Sequence, residues 1–141
     1  MIAIGCDHGG LDIKNAIIEF LKDEKIDFLD LGCFTHESVD YPVYAKKVCA
    51  EIVEGRAEKG ILCCGTGIGM SIAANKVKGI RAAVLSDEFS AEMTRRHNDA
   101  NVLCLGGRVI DGEKAVKLAK IFLTTPFEGG RHERRVAMLE D

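Results

Sequence analysis

Blocks of apolar residues alternate along the chain with blocks in which apolar residues recur every three or four positions. The continuous apolar blocks have the length of buried strands, and they fall at 1–5, 26–31, 61–64, 80–85 and 102–105. The periodic blocks predict helices, as where Ile13, Ile17 and Leu21 follow the first strand. Pro42 stands where the second helix can begin. Each predicted strand is thus followed by a helix, and the last residues are expected to form a short helix or a tail.

Strands that are apolar at nearly every position indicate a sheet that is covered on both faces. With helices between them, such strands predict a doubly wound, Rossmann-like, five-stranded parallel sheet in a three-layer αβα sandwich. The length of 141 residues fits one domain, and we expect residues 1–141 to form it. Ligands of such sheets bind at the carboxyl ends of the strands, where three loops are rich in glycine and polar residues: 6–10, 64–69 and 106–108.

Composition and charge narrow the classes of function. The chain is 47% hydrophobic and 29% charged with a net charge of -3, which is typical of a globular protein and argues against a general nucleic-acid or membrane-surface role. Its apolar runs are shorter than a membrane span. Asp7 stands where a signal peptide would continue with apolar residues, so we expect a cytoplasmic protein. The six cysteines lie mostly within apolar segments, which predicts reduced, buried thiols.

The stretch GILCCGTGIGM, at 60–70, carries the most unusual pattern. Residue 70 is methionine where the dinucleotide-binding fingerprint needs its third glycine, and the loop has no lysine to complete a P-loop. Adjacent Cys63 and Cys64 cannot easily bridge each other, and the sequence has no C-x-x-C pair to hold zinc or to carry out thiol exchange. Strand alternation lets Cys64 face the crevice while Cys63 packs beneath a helix, and the glycine amides at the next helix N-terminus would favour a Cys64 thiolate. An equally good interpretation is a tight turn with Cys64 in the core.

Histidines and arginines supply further candidates, each with a structural alternative. His8 follows an aspartate at the end of the first strand, and it could also cap a backbone group. His97 falls near the end of the helix predicted at 88–96, where the helix dipole favours a protonated ring; this indicates either a proton donor or a solvated helix end. Arg131 and Arg135 would share a face if the tail is helical, and they could then clamp a phosphate or belong to a solvated basic tail.

Five motifs stand in order along nearly the whole chain. They are CDHGG from Cys6, DYP from Asp40, CGTGIGMSIAANK from Cys64, RRHNDANVL from Arg95 and GGRHERRV from Gly129. Together they resemble the type B ribose-5-phosphate isomerases, which share a superfamily with bacterial galactose-6-phosphate isomerase subunits. The combination is highly specific, whereas each motif alone would be weak.

The resemblance implies an aldose–ketose isomerase that interconverts ribose 5-phosphate and ribulose 5-phosphate through a cis-enediolate in the pentose phosphate pathway. It implies no metal and no cofactor, and a homodimer or a dimer of dimers with the active site at the subunit interface. Cys64 would be the base that moves the proton between C2 and C1, and His97 would open the furanose ring. The oxyanion would be stabilised by Gly65, Thr66, Gly67 and Gly69. The implied ligand contacts are Asp7, Tyr41 and Asn98, and the implied phosphate-binding residues are His8, Arg108, Arg131 and Arg135.

Members of that family differ in the residue that acts as the base, and three other functions are alternatives for this sequence. Some members have serine at the cysteine position and use a glutamate farther along the loop helix; here 70–75 contains no acid, which favours cysteine chemistry. The alternatives are isomerisation of allose 6-phosphate or galactose 6-phosphate, a non-catalytic phosphate- or nucleotide-sensing module, and thiol redox chemistry. The joint presence of Cys64 and His97 favours an enzyme over a binding module, and the missing partner cysteine weakens the redox alternative.

Overall fold

Five parallel strands form one sheet in the computed structural model, which describes residues 1–141. The strands are β1 (Ile2–Cys6), β2 (Phe28–Asp30), β3 (Lys59–Cys64), β4 (Ala82–Val84) and β5 (Val102–Gly106). Their order across the sheet is β2-β1-β3-β5-β4, and every neighbouring pair is parallel. β3 therefore lies at the centre of a doubly wound sheet, and its carboxyl end is a position at which ligands of such sheets bind.

Six helices connect and cover the strands. They are α1 (Leu11–Asp23), α2 (Tyr41–Val53), α3 (Ile68–Asn75), α4 (Glu88–Asn98), α5 (Gly112–Thr124) and α6 (Arg131–Leu139). α1, α4 and α5 supply one apolar core on one face of the sheet, and α2 and α3 supply another on the opposite face. The predicted three-layer αβα sandwich is confirmed. None of the six helices has the length and the hydropathy that spanning a bilayer requires.

Both edge strands are shorter than the apolar pattern predicts. Apolar residues at 26–31 and 80–85 predict strands over those ranges, but β2 and β4 have three residues each. Each of them pairs with a single neighbour, so the outer backbone groups have no ladder partner and the strand ends early. The last residues are expected to form either a short helix or a tail. In the structure they form a helix, α6.

Alternation along β3 separates the two cysteines at its end. Cys63 lies with Ile61 in the core under α1 and α5, whereas Cys64 lies with Leu62 and Met70 in the core under α2 and α3. The predicted packing of Cys63 beneath a helix is therefore confirmed. All six cysteines are free and buried, as their apolar surroundings predict.

Candidate active site

The three predicted loops meet where the carboxyl ends of the parallel strands lie. We call this side of the sheet its carboxyl edge, and the side at the amino ends of the strands its amino edge. The Asp7 N–H donates to the Cys63 carbonyl at 3.1 Å, and the Gly107 N–H donates to the Cys64 carbonyl at 2.8 Å. A Cβ on Gly107 would lie 2.3 Å from the Gly9 carbonyl oxygen, so only glycine allows this approach. Residues that follow β1, β3 and β5 thus form one continuous surface.

Cys64 is the residue at which the chain leaves β3 for the glycine loop. It is 5% exposed, and its Sγ accepts a hydrogen bond from the Gly67 N–H at 3.1 Å. Gly67 caps α3 with a φ of 81°, a left-handed conformation that glycine adopts without strain. The Cys64 sulfur thus lies at the N-terminus of α3, within hydrogen-bond distance of a backbone N–H donor.

The neighbouring thiol of Cys63 has the opposite environment. It is fully buried, and burial, followed by the nearby thiols of Cys6 and Cys104, raises its pKa well above the usual range. A thiol that stays protonated is a poor base and a poor nucleophile. Of the two adjacent cysteines, Cys63 is therefore unsuited to proton transfer, and Cys64 stays the candidate.

Three further predicted side chains border the glycine loop. A Cβ on Gly65 would lie 3.3 Å from Nη1 of Arg108, and a Cβ on Gly69 would lie 2.7 Å from Cε1 of Tyr41. The glycines therefore let a guanidinium and a phenol ring lie directly against the loop backbone. Thr66 is exposed, and its Oγ1 accepts a hydrogen bond from a following backbone N–H at 3.3 Å.

Asp7 and His8 lie in the loop after β1, close to the glycine loop. The Asp7 Oδ1 accepts a hydrogen bond from the Gly9 N–H at 2.9 Å, and a Cβ on Gly9 would lie 2.9 Å from the Gly65 nitrogen. The Nδ1 of His8 accepts a hydrogen bond from the Val39 N–H at 3.2 Å, so the expected alternative of a histidine that caps a backbone group is present. In the neutral ring the proton is then on Nε2, which is left to donate to a ligand.

His97 and Asn98 lie at the opposite edge of the sheet from Cys64. α4 runs from the carboxyl end of β4 back to the amino end of β5, and these two residues end it. The end of α4 lies near the start of β3. Burial, and then the charge of Arg95 in the last turn of α4, lower the pKa of Lys59, the first residue of β3. Cys64 ends the same strand, about 16 Å farther on at about 3.3 Å per residue. One chain therefore does not bring Cys64 and His97 together.

At that edge His97 packs against α6. Its ring stacks on the ring of His132 with centroids 4.2 Å apart and planes 13° apart. The pair borders a cavity of about 300 Å³ whose lining residues are His97, Asn98, His132, Arg135, Val136 and Leu139. The sequence gives no signal for a role of His132, because nothing in the pattern of α6 shows which helix it packs against.

Arg131 and Arg135 lie one turn apart on α6 and share a face, as a helical tail predicts. Arg135 lines the cavity beside His97, and Arg131 is exposed. A larger cavity of about 700 Å³ lies near the end of α6; it borders Asn98 and no predicted residue at the carboxyl edge.

The predicted site residues thus fall into two groups. The carboxyl-edge group consists of Asp7, His8, Tyr41, Cys64, Gly65, Thr66, Gly67, Gly69 and Arg108. The amino-edge group consists of His97, Asn98, Arg131 and Arg135. Each group combines a candidate proton-transfer residue with candidate phosphate ligands.

Comparison with known proteins identifies sequences that are similar over nearly the whole chain. The family model described as Ribose/Galactose Isomerase matches residues 2–139. The "Putative sugar phosphate isomerase YwlF" of Bacillus subtilis is 52% identical over 141 residues, covering 99% of this chain and 95% of the relative. "Ribose-5-phosphate isomerase B" of Escherichia coli is 46% identical over 135 residues, covering 96% of this chain and 91% of the relative.

Solved structures agree with this similarity. Ribose-5-phosphate isomerase B of Clostridium thermocellum superposes with a TM-score of 0.97 at 47% identity, covering 99% of this chain and 94% of that one. The Mycoplasma genitalium enzyme, solved with bound ribulose-5-phosphate, gives a TM-score of 0.94 at 41% identity, covering 99% of this chain and 93% of that one. The family resemblance carried by the five motifs is confirmed, and the chain belongs to the ribose/galactose isomerase family.

Proposed function

We propose that this chain interconverts ribose 5-phosphate and ribulose 5-phosphate as an aldose–ketose isomerase. Relatives named ribose-5-phosphate isomerase B, similar over nearly their whole length, support the substrate, as does a relative with bound ribulose-5-phosphate. The observation that carries the proposal is the Cys64 sulfur at the end of the central strand, which accepts a hydrogen bond from the Gly67 N–H. The reaction is a step of the pentose phosphate pathway, which we take to place the protein in the cytoplasm.

Cys64 supplies the base in this reaction. Its thiolate takes the proton from C2 of the open-chain aldose, and the released electron pair forms the C1–C2 double bond while the carbonyl oxygen becomes an oxyanion. Return of the proton to C1, together with transfer of the hydroxyl proton from O2 to O1, makes C2 the carbonyl carbon and gives the ketose. The Gly67 N–H donates to the sulfur, and we assign the backbone N–H groups of 65–69, together with Thr66, as the donors that stabilise the enediolate oxygen. These donors lower the barrier because they are held in place before the charge develops.

His97 and the arginines act on the other parts of the substrate. The sugar is mostly a closed ring, so a proton donor must protonate the ring oxygen before C2 becomes acidic, and we assign this step to His97. The phosphate would be held by Arg131 and Arg135 from the amino-edge group, with His8 and Arg108 from the carboxyl-edge group. Phosphate binding fixes the orientation of the sugar rather than its chemistry.

Two chains are needed to assemble such a site. Ring opening and proton transfer act on neighbouring atoms of one sugar, whereas Cys64 and His97 lie at opposite edges of the sheet in one chain. A homodimer, or a dimer of such dimers, would pair the carboxyl-edge group of one chain with the amino-edge group of its partner. In a two-fold dimer this pairing occurs twice, which gives two equivalent sites.

An exposed apolar surface lies beside the carboxyl-edge group and supports the same assembly. Ile68 and Ile72 lie one turn apart on α3, and both are exposed, as are Val84 at the end of β4 and Phe89 on α4. Val84 reaches the glycine loop, since a Cβ on Gly67 would lie 3.0 Å from its Cγ2. Several exposed apolar residues beside a site favour an interaction surface, and here we assign it to a second copy of the chain.

A coupled assay for ribulose 5-phosphate formed from ribose 5-phosphate, run with and without EDTA, tests the proposal. We expect turnover that EDTA does not change. Allose 6-phosphate and galactose 6-phosphate are assayed in parallel because the family also includes galactose isomerases. Turnover of a hexose phosphate alone would replace the proposed substrate, and binding without any turnover would favour a sensing module.

A further inference from the structure

His132 is a buried residue of α6 to which the mechanism above assigns no role. It is 6% exposed, and its ring lies parallel to that of His97, with 4.2 Å between the centroids and 13° between the planes. The two rings belong to different helices, so their contact depends on the docking of α6 against α4. Of this pair, only His97 is partly exposed toward solvent.

Burial and the neighbouring charges disfavour a protonated His132 ring. Burial, then the neighbouring His97 and Arg131, lower the pKa of His132; Glu128 acts in the opposite direction, and Arg135 adds to the lowering. The Nε2 atom is buried without a hydrogen-bond partner, and it lies 3.6 Å from the Glu128 Oε1. At neutral pH the pair therefore consists of the buried, uncharged His132 ring and the partly exposed His97 ring.

Ring geometry disfavours a second possible use of these residues. The ligand atoms of His97, Glu128 and His132 lie within 4.8 Å of one another, which is compact enough for a metal ion. An imidazole binds a metal with the in-plane lone pair of a ring nitrogen. Because the two rings lie nearly parallel and one above the other, one ion cannot lie in the plane of both. The arrangement of the two rings therefore suits stacking of His132 on His97 better than metal binding.

We infer that His132 is a positioning residue for His97: its buried flat ring fixes the plane of the His97 imidazole, so that a ring nitrogen faces the sugar's ring oxygen. The inference rests on the proposed isomerase function. A partly exposed histidine in the last turn of a helix has several staggered rotamers and a broad second torsion, and the stack selects one orientation. Ring opening requires that orientation, because the donor nitrogen must point at the ring oxygen.

Two substitutions of His132 separate the flat ring from its nitrogens. His132→Phe keeps an aromatic face against His97, whereas His132→Leu keeps an apolar side chain without one. We expect His132→Phe to retain nearly the full kcat, and His132→Leu to lower kcat by about two- to tenfold, the effect of losing one aromatic pair. KM should change little in either variant, because His132 does not hold the phosphate in this assignment. His132→Gln is a second variant without a flat ring, for use if His132→Leu does not fold.

A spectroscopic measurement reports on the stack without relying on activity. A ring directly above another shifts the NMR signals of its carbon-bound protons, so the His97 ring protons should keep their shifts in His132→Phe and move in His132→Leu. His36→Asn is the matched control, since His36 is exposed and pairs with Asp12 away from α6. We expect wild-type kinetics and unchanged His97 signals from it.

The outcomes distinguish the inference from the function on which it rests. Equal losses of kcat in His132→Phe and His132→Leu would overturn the positioning role, as would raised KM with unchanged kcat, which would instead mean a direct contact with the phosphate. If the wild-type protein does not isomerise ribose 5-phosphate, the proposed function fails, and the inference fails with it. The NMR comparison still decides in that case whether the stack orders His97.

Discussion

At the scale of single residues, two adjacent cysteines have different chemistry because a strand directs alternate side chains to opposite faces. Cys63 points into the core under α1 and α5, where burial holds its thiol protonated. Cys64 points to the other face at the strand end, where the Gly67 N–H reaches its sulfur. The period of two in a β-strand, rather than a difference in residue type, therefore places the two thiols in different surroundings.

Cys64→Ser should lower kcat by about 10²- to 10⁴-fold with little change in KM, because a hydroxyl is a far weaker base than a thiolate and the fold does not need the sulfur. Steady-state kinetics with ribose 5-phosphate measure both constants. Cys63→Ser is the matched control and should keep its kcat, although burying a hydroxyl costs about 1–3 kcal/mol of stability. A loss of kcat in Cys63→Ser but not in Cys64→Ser would show that the base is assigned to the wrong residue.

Much of this residue-level chemistry could be predicted from the sequence, and part of it could not. The carboxyl-edge group could be predicted because the ends of parallel strands lie at one edge whatever the loops do. The stack of His97 on His132 could not, because it depends on how α6 docks against α4. The hydrogen bond from Val39 to His8 likewise joins residues that no local pattern relates.

At the scale of secondary structure elements, the end of α4 is held in place by Arg95. This residue is 6% exposed and donates to the Ala100 carbonyl at 2.7 Å, the Thr125 carbonyl at 3.2 Å and the Asp99 carboxylate at 2.8 Å. It also lies over the ring of Phe122 on α5. A charged residue in the last turn of a helix predicts a solvated side chain, but here it joins α4 to the segments after it.

Arg95→Met should lower the free energy of unfolding by about 2–3 kcal/mol, because two buried carbonyls and a carboxylate lose a charged donor. Urea unfolding monitored by circular dichroism measures the change. The neighbouring Arg96→Met is the control: its guanidinium pairs with Glu92 at a more exposed position, so its loss should cost about 0.5 kcal/mol or less. Equal effects of the two substitutions would mean that Arg95 has no special role in the fold.

The length of each strand follows from its position in the sheet rather than from its own residues. β1, β3 and β5 form close to where their apolar residues predict them, because each has a hydrogen-bonded neighbour on both sides. β2 and β4 stop after three residues because each has only one. A chain segment does not indicate by itself whether it will be central or at the edge, so this difference needs the structure.

The arginines of α6 test whether that helix binds phosphate. Arg131→Ala and Arg135→Ala should each raise KM for ribose 5-phosphate by about tenfold to a hundredfold, since a charge-assisted contact is worth about 1.5–3 kcal/mol. Arg134→Ala is the control, because Arg134 is exposed and does not line the cavity beside His97 that Arg135 lines. Lysine at either position should recover only part of the affinity, since it lacks the two-pronged contact of a guanidinium. If all three alanine variants behave alike, the phosphate is held elsewhere.

At the scale of the whole molecule, the doubly wound fold itself separates the proposed catalytic groups. A helix that connects two parallel strands must return from the carboxyl edge to the amino edge, so a residue at its end lies a strand's length from the residues that follow the strands. Cys64 follows β3, whereas His97 ends α4. The proposed association of two chains would bring the two groups to one sugar.

Mixing two inactive variants tests this arrangement. Cys64→Ser lacks the base and His97→Asn lacks the proton donor, so each homodimer should be nearly inactive. In a mixed dimer one site receives both substitutions and the other receives neither. Random reassociation after unfolding and refolding of an equal mixture should therefore restore about a quarter of the wild-type activity. Activity of the refolded mixture, compared with each variant refolded alone, measures the recovery.

A second mixture decides whether any recovery reflects the proposed pairing of edges. Cys64→Ser and Arg108→Ala both alter the carboxyl-edge group, so in a mixed dimer each site keeps one defect. This mixture should gain no activity beyond the average of its two components. Recovery in both mixtures would mean that Cys64 and Arg108 serve different sites, and recovery in neither would mean that His97 does not act across the interface. If the site is shared between opposite edges of two chains, activity should recover only when Cys64→Ser is mixed with His97→Asn.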